Sequence, residues 1–360
     1  MEKKDLRIVF MGTPEFAVES LKSLVEGGYN VVAVVTQPDK PVGRHQDTLQ
    51  PSQVKQYAVE HGLPVLQPVK MKDPEFVEQL RSYQADLQVV VAFRMLPEVV
   101  WAMPKFGTFN VHAALLPQYR GAAPINWAVI NGEKETGVTT FFLDHDIDTG
   151  RIIMQKRFPI PESADVEYVY DGLMHLGADL ALETIDALIA AGGNIESMPQ
   201  EKLIGEGVEL KSAPKIFKET CRIDFHKPAK QVYDFVRGLS PYPGSWTEIK
   251  KKAPVVIFED ADGEMPEATA HPAQQKSAAK IQVLKIFKTS LTEFSRGVAP
   301  VGSLRVFEKK LQVACLDHWL NIEELQLSGK KRMDAAAFLN GMKDIAYYEC
   351  QKAQETGEEW

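Results

Sequence analysis

The chain has 360 residues, of which 44% are hydrophobic and 25% charged, and its formal net charge is −8. This length suits two domains better than a single core, and no stretch approaches the roughly 20 uncharged apolar residues of a membrane span. Three widely spaced cysteines (Cys221, Cys315 and Cys350) indicate neither a disulfide framework nor a cysteine zinc site, so we expect a cytoplasmic protein.

The first 200 residues alternate strand-like and helix-like segments. The apolar start, LRIVFM, is too short for a signal peptide and fits a first strand. NVVAVVTQ and DLQVVVAF are further continuous apolar runs, and helical patterns cover 16–25, 73–82 and 166–192. Such runs, separated by helices, predict an α/β domain with a doubly wound, mostly parallel sheet covered on both faces.

Polar residues follow two of the predicted strands. FGTFNVH ends in Asn110 and His112, and the run 138–143 is followed by Asp144, Asp146 and Asp148. Parallel sheets bind ligands beyond the carboxyl ends of their strands. We therefore expect both groups of residues at one edge of the sheet, in a common site.

The second half of the chain has a different pattern. Residues 196–214 have no clear period and are interpreted as a linker between a catalytic domain (1–195) and a C-terminal domain (215–345). Short strand patterns separated by turns, such as PYPGSWTEI, APVVIFED, AKIQVLKIF, KLQVACLD and HWLNIEELQL, predict a small β-barrel. Residues 259–278 are interpreted as an excursion loop, and 346–360 as an acidic tail.

Charge is unevenly distributed along the chain. Residues 215–252 contain nine Lys or Arg and four Asp or Glu, although the whole protein is acidic. Such a stretch is usually a solvated face, but it can also bind phosphates locally.

The residues that end the two strands suit acyl transfer. Asn110 and His112 are two positions apart and share one face of a strand. An amide can donate to a developing oxyanion, and an imidazole can move a proton near neutral pH. The Asp cluster could supply a carboxylate for the imidazole, and it lacks the glycine spacing of an EF-hand, so we expect no metal. Without a GxSxG elbow or a nearby nucleophilic cysteine, direct transfer without a covalent enzyme intermediate is the simplest mechanism.

An ordered series of motifs covers nearly the whole chain. It comprises FMGTPEFA, TQPDKPVGR, NVHAALLPQYRGAAPINWAVINGEKETGVTT, LDHDIDTG, SPYPGSWTEI and ELQLSGKKRMDAAAFLNG. The series resembles the methionyl-tRNA formyltransferase family. The resemblance implies a Rossmann-like formyltransferase domain followed by an OB-like barrel. It also implies transfer of the formyl group of 10-formyltetrahydrofolate to methionyl initiator tRNA for translation initiation.

The resemblance also implies site residues. Asn110, His112 and Asp148 would be the catalytic trio, and Ala114, Leu115, Leu116 and Pro117 would line the folate site. Two positions depart from the family pattern: Ala114 stands where a serine is usual, and VAFRMLP, with Arg94, stands where VAYGxILP is common.

The second substrate would be held by a loop and by the barrel. In the family, the proline-rich loop 36–53 reaches the acceptor end of the tRNA, which implies roles for Lys40 and Arg44. Basic residues of the barrel would contact phosphates and position the RNA without reading its sequence. Nothing in the sequence demands more than a monomer.

Three alternatives stay open on the residues alone. The first is a related formyltransferase with a different acceptor. The acceptor could be glycinamide ribonucleotide, an interpretation that the 36–53 loop and the barrel disfavour, or a sugar amine. The second is a nicotinamide-dependent dehydrogenase, although the first turn, MGTPEFA, lacks GxGxxG. The third is a non-catalytic RNA-binding protein, in which Asn110 and His112 could be replaced by alanine without functional cost.

Overall fold

A computed structural model describes residues 1–42, 48–252 and 281–352. The chain divides into two compact units, residues 1–216 and 217–360, and each is described here by itself. Within the described ranges, no helix is long and apolar enough to cross a bilayer.

The first unit is built on a seven-stranded sheet with the order β10-β9-β7-β6-β1-β2-β5. Two small two-stranded sheets, β3-β4 and β8-β11, complete the unit. The strands are β1 Ile8–Gly12, β2 Val31–Val35, β3 Lys40–Val42, β4 Thr48–Gln50, β5 Val65–Leu66, β6 Leu87–Val91, β7 Thr108–His112, β8 Arg120–Gly121, β9 Glu135–Phe142, β10 Ile152–Pro159 and β11 Ser212–Ala213. Strands β7, β6, β1, β2 and β5 are parallel, whereas β9 and β10 are antiparallel to their neighbours.

Six helices among the described residues of this unit cover the sheet. They are α1 Glu15–Glu26, α2 Gln53–Glu60, α3 Pro74–Ser82, α4 Glu98–Trp101, α5 Pro124–Ile130 and α6 Val166–Ala190. Side-chain caps fix three of their starts, because Ser52, Asp73 and Asp165 accept hydrogen bonds from backbone N–H groups of the first turn. Proline at the first position of α3 and of α5 also favours a helix start, since the N–H that it lacks would have no partner there.

The two faces of the sheet carry separate cores. Phe10, Phe109 and Val111 pack with residues of α1, α2, α5 and α6 on one face. Val9, Met11 and residues of α3 and α4 form the core on the other face. A doubly wound α/β unit is therefore confirmed, and its strands are buried on both sides as their continuous apolar sequences predict.

The second unit is an antiparallel barrel-like sheet. Its order is β14-β15-β16-β13-β12-β18, and β17 pairs with β16. The strands are β12 Ser245–Lys251, β13 Gln282–Ser295, β14 Leu304–Phe307, β15 Lys310–Ala314, β16 His318–Leu327, β17 Met333–Asp334 and β18 Tyr348–Cys350, and the helices are α7 Ala229–Gly238 and α8 Ala335–Gly341. A bridge between Ser303 and Glu349 brings the two edges together, so the sheet nearly closes.

Parts of the C-terminal predictions can be compared with these elements. The strand patterns at PYPGSWTEI, AKIQVLKIF, KLQVACLD and HWLNIEELQL correspond to β12, β13, β15 and β16. The strand pattern at APVVIFED and the excursion 259–278 lie outside the described residues. The segment interpreted as a linker contains a 3-10 helix, Gln200–Leu203, and strand β11, and the start of the predicted acidic tail contains β18.

Helix α6 provides a test of the first core. Leu180 is 1% exposed, whereas its neighbour Asp179 faces solvent. We expect Leu180→Ala to lower the free energy of unfolding by about 2–5 kcal/mol, because it removes buried methyl groups and leaves a cavity. Urea denaturation followed by circular dichroism measures the change. Asp179→Ala is the matched control, and equal effects of the two substitutions would contradict the packing described here.

Candidate active site

Strand β7 presents two polar side chains to one face of the sheet. Asn110 is half-buried and His112 is 6% exposed, and their alternation with the core residues Phe109 and Val111 points both away from the α6 side. The sequence prediction that these residues share a face is confirmed. The site is therefore built into a central strand, which holds both side chains rigidly.

A hydrogen bond fixes the imidazole of His112. Its Nε2 lies 2.8 Å from the backbone carbonyl oxygen of Tyr119. Because a carbonyl can only accept, Nε2 must carry a hydrogen in both protonation states of the ring. Nδ1 is therefore the ring nitrogen that gains or loses a proton, and the surroundings of Nδ1 decide what the histidine can do.

The carbonyl that orients His112 is itself held in place. Tyr119 has a positive φ of 58°, and its N–H donates to the carbonyl oxygen of Lys211. Its hydroxyl donates to Glu133, which also pairs with the ammonium group of Lys211. Burial, together with this bond to Glu133, raises the pKa of the Tyr119 hydroxyl, which therefore remains a donor at physiological pH.

The Asp148 carboxylate faces the free side of the imidazole. Its Oδ2 lies 3.8 Å from Nδ1 of His112, which is within ion-pair range but too long for a direct hydrogen bond. The same oxygen accepts a 3.0 Å hydrogen bond from the backbone N–H of Gly121. A protonated Nδ1 thus meets a carboxylate that is already aligned.

Asp148 reaches this position by a different route from the one expected. The acidic residues were expected at the same edge of the sheet as the end of β7. However, β9 is antiparallel to β7, and its last residue, Phe142, pairs with Phe109 at the start of β7. The chain then returns across the sheet face through residues 143–151. The period of an apolar run does not encode strand direction, so the expected shared edge was wrong, although both groups of residues line one cavity as expected.

A cavity of about 660 Å³ opens beside these three residues. Its lining comes from the ends of β1, β6 and β7, from the turn after β8, and from α5, α6 and the loop after β9. The lining includes Pro14, Phe16, Ala92, Phe93, Arg94, Met95, Leu96, Trp101, Asn110, His112, Ile125, Leu143, Asp144, Ile147, Asp148, Val166 and Tyr170. It is mostly apolar with a few convergent polar groups, as ligand sites usually are.

Two polar groups of the lining have unsatisfied atoms. Oδ1 of Asn110 and Nε of Arg94 are buried without a hydrogen-bond partner among the described residues. Arg94 also donates to the backbone carbonyls of Pro68 and Val69, which holds the 92–96 wall against the segment that follows β5. Burial lowers the pKa of this guanidinium. The lining thus combines apolar side chains with an amide and a guanidinium whose hydrogen bonds are incomplete.

The residues predicted to line a folate site lie behind the cavity. Ala114, Leu116 and Pro117 are buried, Leu115 is half-buried, and none of the four belongs to the lining. The hydroxyl of Thr139 donates to the carbonyl of Ala114 and accepts from the N–H of Leu116. This segment therefore supports the end of β7 from within.

The cavity wall contains Pro14 and Phe16, which were not singled out from the sequence, and residues 92–96, part of the VAFRMLP segment noted above as a departure from the family pattern. Pro14 and Phe16 follow β1, and residues 92–96 follow β6, so both segments lie at the carboxyl ends of central parallel strands. In the sheet, β1 lies between β2 and β6, and the strand order reverses there because the chain continues from β1 to β2 on one side and reaches β6 on the other only later. Parallel sheets commonly bind ligands at the point where the strand order reverses, so the strand order would have indicated both segments.

The predicted tRNA loop is described only in part. Lys40 is exposed on the β3-β4 hairpin, and Arg44 lies outside the described residues. At the base of the hairpin, Asp39 accepts hydrogen bonds from Lys55 and Gln67, and these contacts hold the pKa of its carboxyl below the ordinary value. The hairpin is therefore anchored to α2 by polar contacts.

The other acidic residues of the 143–151 loop shape the turn. Asp144 accepts hydrogen bonds from the N–H of Asp146 and from the hydroxyl of Thr149. No group of three His, Cys, Asp or Glu side chains that could hold a metal ion occurs within the described ranges.

Comparison with known sequences identifies the family. Residues 6–185 match the model of the formyl transferase family, and residues 215–343 match the model of the formyl transferase C-terminal domain. Methionyl-tRNA formyltransferases of Parabacteroides distasonis and Phocaeicola vulgatus are 57% and 59% identical to this chain, over 97% and 95% of it and 99% and 98% of their own lengths. The chain belongs to the methionyl-tRNA formyltransferase family. It is therefore a formyl-transferring enzyme, as the motifs predicted.

Solved structures share the fold of this family member. WlaRD, a sugar 3N-formyl transferase, superposes with a TM-score of 0.56 at 18% identity, over 91% of this chain and 99% of that one. HypX from Aquifex aeolicus, solved in complex with tetrahydrofolic acid, superposes with a TM-score of 0.55 at 17% identity. The match covers 94% of this chain but only 48% of HypX. At these identities the similarity concerns the fold.

The hydroxyl of Thr139 offers a test of the support behind the site. It bonds Ala114, Leu116 and Gln155 at once. We expect Thr139→Val to lower the free energy of unfolding by about 1–3 kcal/mol, because it keeps the shape of the side chain but leaves buried backbone groups unpaired. Thermal unfolding measures the change. Thr139→Ser retains the hydroxyl and should lose less, and the reverse order would contradict this account.

Proposed function

We propose that this enzyme transfers the formyl group of 10-formyltetrahydrofolate to the α-amino group of methionyl initiator tRNA, for translation initiation. The reaction is a direct acyl transfer through a tetrahedral intermediate. One observation carries the mechanism: Asn110, His112 and Asp148 line one cavity, and Nδ1 of His112 lies 3.8 Å from Oδ2 of Asp148. The acceptor follows from the name that the close relatives share.

The residues of the cavity fit a folate donor. A pterin is flat and heteroaromatic, and the lining beside Asn110 combines apolar side chains such as Trp101, Leu96 and Leu143 with backbone groups of residues 92–96. The side-chain amide of Asn110 belongs to the same lining and supplies a polar group there. We propose that Ala114–Pro117 support this site indirectly, through Thr139, rather than by contact with the folate.

The amide and the imidazole then act on the formyl oxygen. As the amine nitrogen attacks the formyl carbon, the carbonyl oxygen becomes an oxyanion. The Asn110 amide and a protonated Nδ1 of His112 donate hydrogen bonds to it. Because the Tyr119 carbonyl already occupies Nε2, only Nδ1 can serve in this way.

Asp148 balances the protons. The acceptor ammonium loses one proton to solvent to become the attacking amine, and the amine nitrogen loses a second proton as the amide forms. The folate nitrogen N10 must gain one proton when its bond to the formyl carbon breaks. The Asp148 carboxylate accepts a proton from the acceptor amine, directly or through a water, and returns a proton to N10. No atom other than the formyl group and these protons changes place.

Binding of the tRNA is assigned to the hairpin and the barrel. Lys40 is exposed on β3, and Arg44 belongs to the same loop. Lys250 and Lys251 end β12, and Lys252 follows. Lys251 pairs with Asp344 at 2.9 Å, so Lys250 and Lys252 are better placed to contact phosphates. Such contacts position the RNA and do not read its sequence.

A sugar amine is the competing acceptor, because sugar N-formyltransferases share this fold. Transfer of a radiolabelled formyl group from 10-formyltetrahydrofolate to charged initiator tRNA separates the two. We expect labelled formylmethionyl-tRNA and no labelled sugar. Efficient labelling of a nucleotide-linked amino sugar, with none of the tRNA, would overturn the proposal.

The catalytic assignment predicts specific losses. We expect Asn110→Ala and Asp148→Asn each to lower kcat by about 100- to 1000-fold with the fold intact, because each removes a group that acts in the transition state. Single-turnover formyl transfer measures the rate, and circular dichroism checks the fold. A folded His112→Ala enzyme with full activity would refute the scheme.

The tRNA assignment predicts a dependence on salt. We expect the double variant Lys250→Glu, Lys252→Glu to weaken tRNA binding and to reduce the slope of log Kd against log salt, since about one counterion is released per phosphate contact. Filter binding at several salt concentrations measures both. The double variant Lys70→Glu, Lys72→Glu makes the same charge change at exposed positions of the first unit, outside the loop and the barrel, and is the control. An unchanged slope in the Lys250, Lys252 variant would remove the assignment.

A further inference from the structure

Gln200 lies in the segment that the sequence analysis interpreted as a linker, between the two regions that match family models. Its side chain is fully buried, and both of its polar atoms are bonded. Nε2 donates to the backbone carbonyls of Asp148 and Gly150, each at 2.8 Å. Oε1 accepts from Nε and Nη2 of Arg120, at 3.0 and 2.7 Å.

These bonds join the two segments that locate the Asp148 carboxylate. The turn at Asp148 carries the carboxylate, and the N–H of Gly121, next to Arg120, donates to it. Through Nε2, Gln200 holds the backbone of the turn, and through Oε1 it holds the guanidinium of Arg120. The distance between the turn and β8 is therefore fixed by one side chain.

The turn needs such a restraint. Asp148 has a positive φ of 55°, which a residue with a Cβ rarely adopts and which carries a conformational cost. Gly150 is packed so closely that a Cβ there would lie 1.6 Å from the carbonyl oxygen of Phe142. The turn is thus strained and tightly packed, and it persists only because its surroundings hold it.

Gln200 is itself anchored to the first unit. Met198 and Ile152 exchange two backbone hydrogen bonds of 2.8 Å, and Arg151 donates to the hydroxyl of Ser197 at 2.9 Å. Farther along, Ser212 and Ala213 pair with Arg120 and Gly121. The segment 197–213 is therefore bonded near both of its ends to the segments that carry Asp148 and Gly121, which holds Gln200 in place.

We propose that Gln200 is a positioning residue for formyl transfer, which acts by holding the Asp148 carboxylate opposite Nδ1 of His112. This inference rests on the proposed function of Asp148. Gln200 does not line the cavity and contacts no reacting atom, so its effect is on the placement of the carboxylate rather than on substrate binding.

Kinetics of two variants test this role. Gln200→Met removes every side-chain hydrogen bond at similar length, and Gln200→Glu keeps the acceptor for Arg120 but loses the donor to the turn. We expect both to lower kcat by about 10- to 100-fold, because a small displacement of a catalytic group is costly, while KM for folate and for tRNA changes by less than about threefold. Glu201→Gln, one residue on and exposed, is the control and should keep the wild-type kcat.

A double-mutant cycle separates positioning from a merely structural role. In an Asp148→Asn background, Gln200→Met should lower kcat by less than about twofold further, because the group that it places is already disabled. Losses that multiply in the double variant would overturn the inference, as would full activity of the folded Gln200→Glu enzyme. Full activity of Asp148→Asn would overturn the proposed role of Asp148 itself. Fully active Gln200 variants, together with an inactive Asp148→Asn, would overturn only the role of Gln200, so the two failures can be distinguished.

Discussion

The hydrogen bond between Nε2 of His112 and the carbonyl of Tyr119 is the constraint from which the chemistry of this site follows. It occupies one nitrogen of the ring and leaves Nδ1 directed toward Asp148. Three features of Tyr119 position its carbonyl: the left-handed backbone conformation, the hydroxyl bonded to Glu133 and the N–H bonded to the carbonyl of Lys211. Residues far apart along the chain thus decide which nitrogen of the ring can carry a proton toward a substrate.

The parallel sheet makes this arrangement possible. A central strand buried on both sides holds Asn110 and His112 at a fixed spacing, while the loops around it supply the rest of the cavity. The strained turn at Asp148 is the less stable part, and it depends on neighbours such as Gly121 and Gln200. A rigid strand combined with a restrained loop is a common way to hold catalytic groups, because precise placement contributes much of the rate.

The motifs in the chain led to the family, and the family was then shown by relatives more than half identical over nearly the full length. The fold class was also predicted, because continuous apolar runs separated by helical patterns have few alternatives to a covered parallel sheet. The direction of β9 was not predictable from its pattern, since a run of apolar residues reads alike in either direction. Nor does the LLP segment line the cavity: Leu116 and Pro117 are buried, and Ala114 and Leu116 are bonded to Thr139 of β9.

The sequence by itself determined the class of the first domain, the barrel-like second unit, the family and the pairing of Asn110 with His112 on one face. All of these follow from local periodicity or from ordered motifs, which can be recognised without knowledge of distant contacts. The tertiary structure alone decided the tautomer of His112, the route by which Asp148 arrives, and the contact of Gln200 with the turn. Gln200 lies 52 positions from Asp148 and 80 from Arg120, and no local pattern records a bond across such separations. These contacts exist only because the folded sheet brings the segments together.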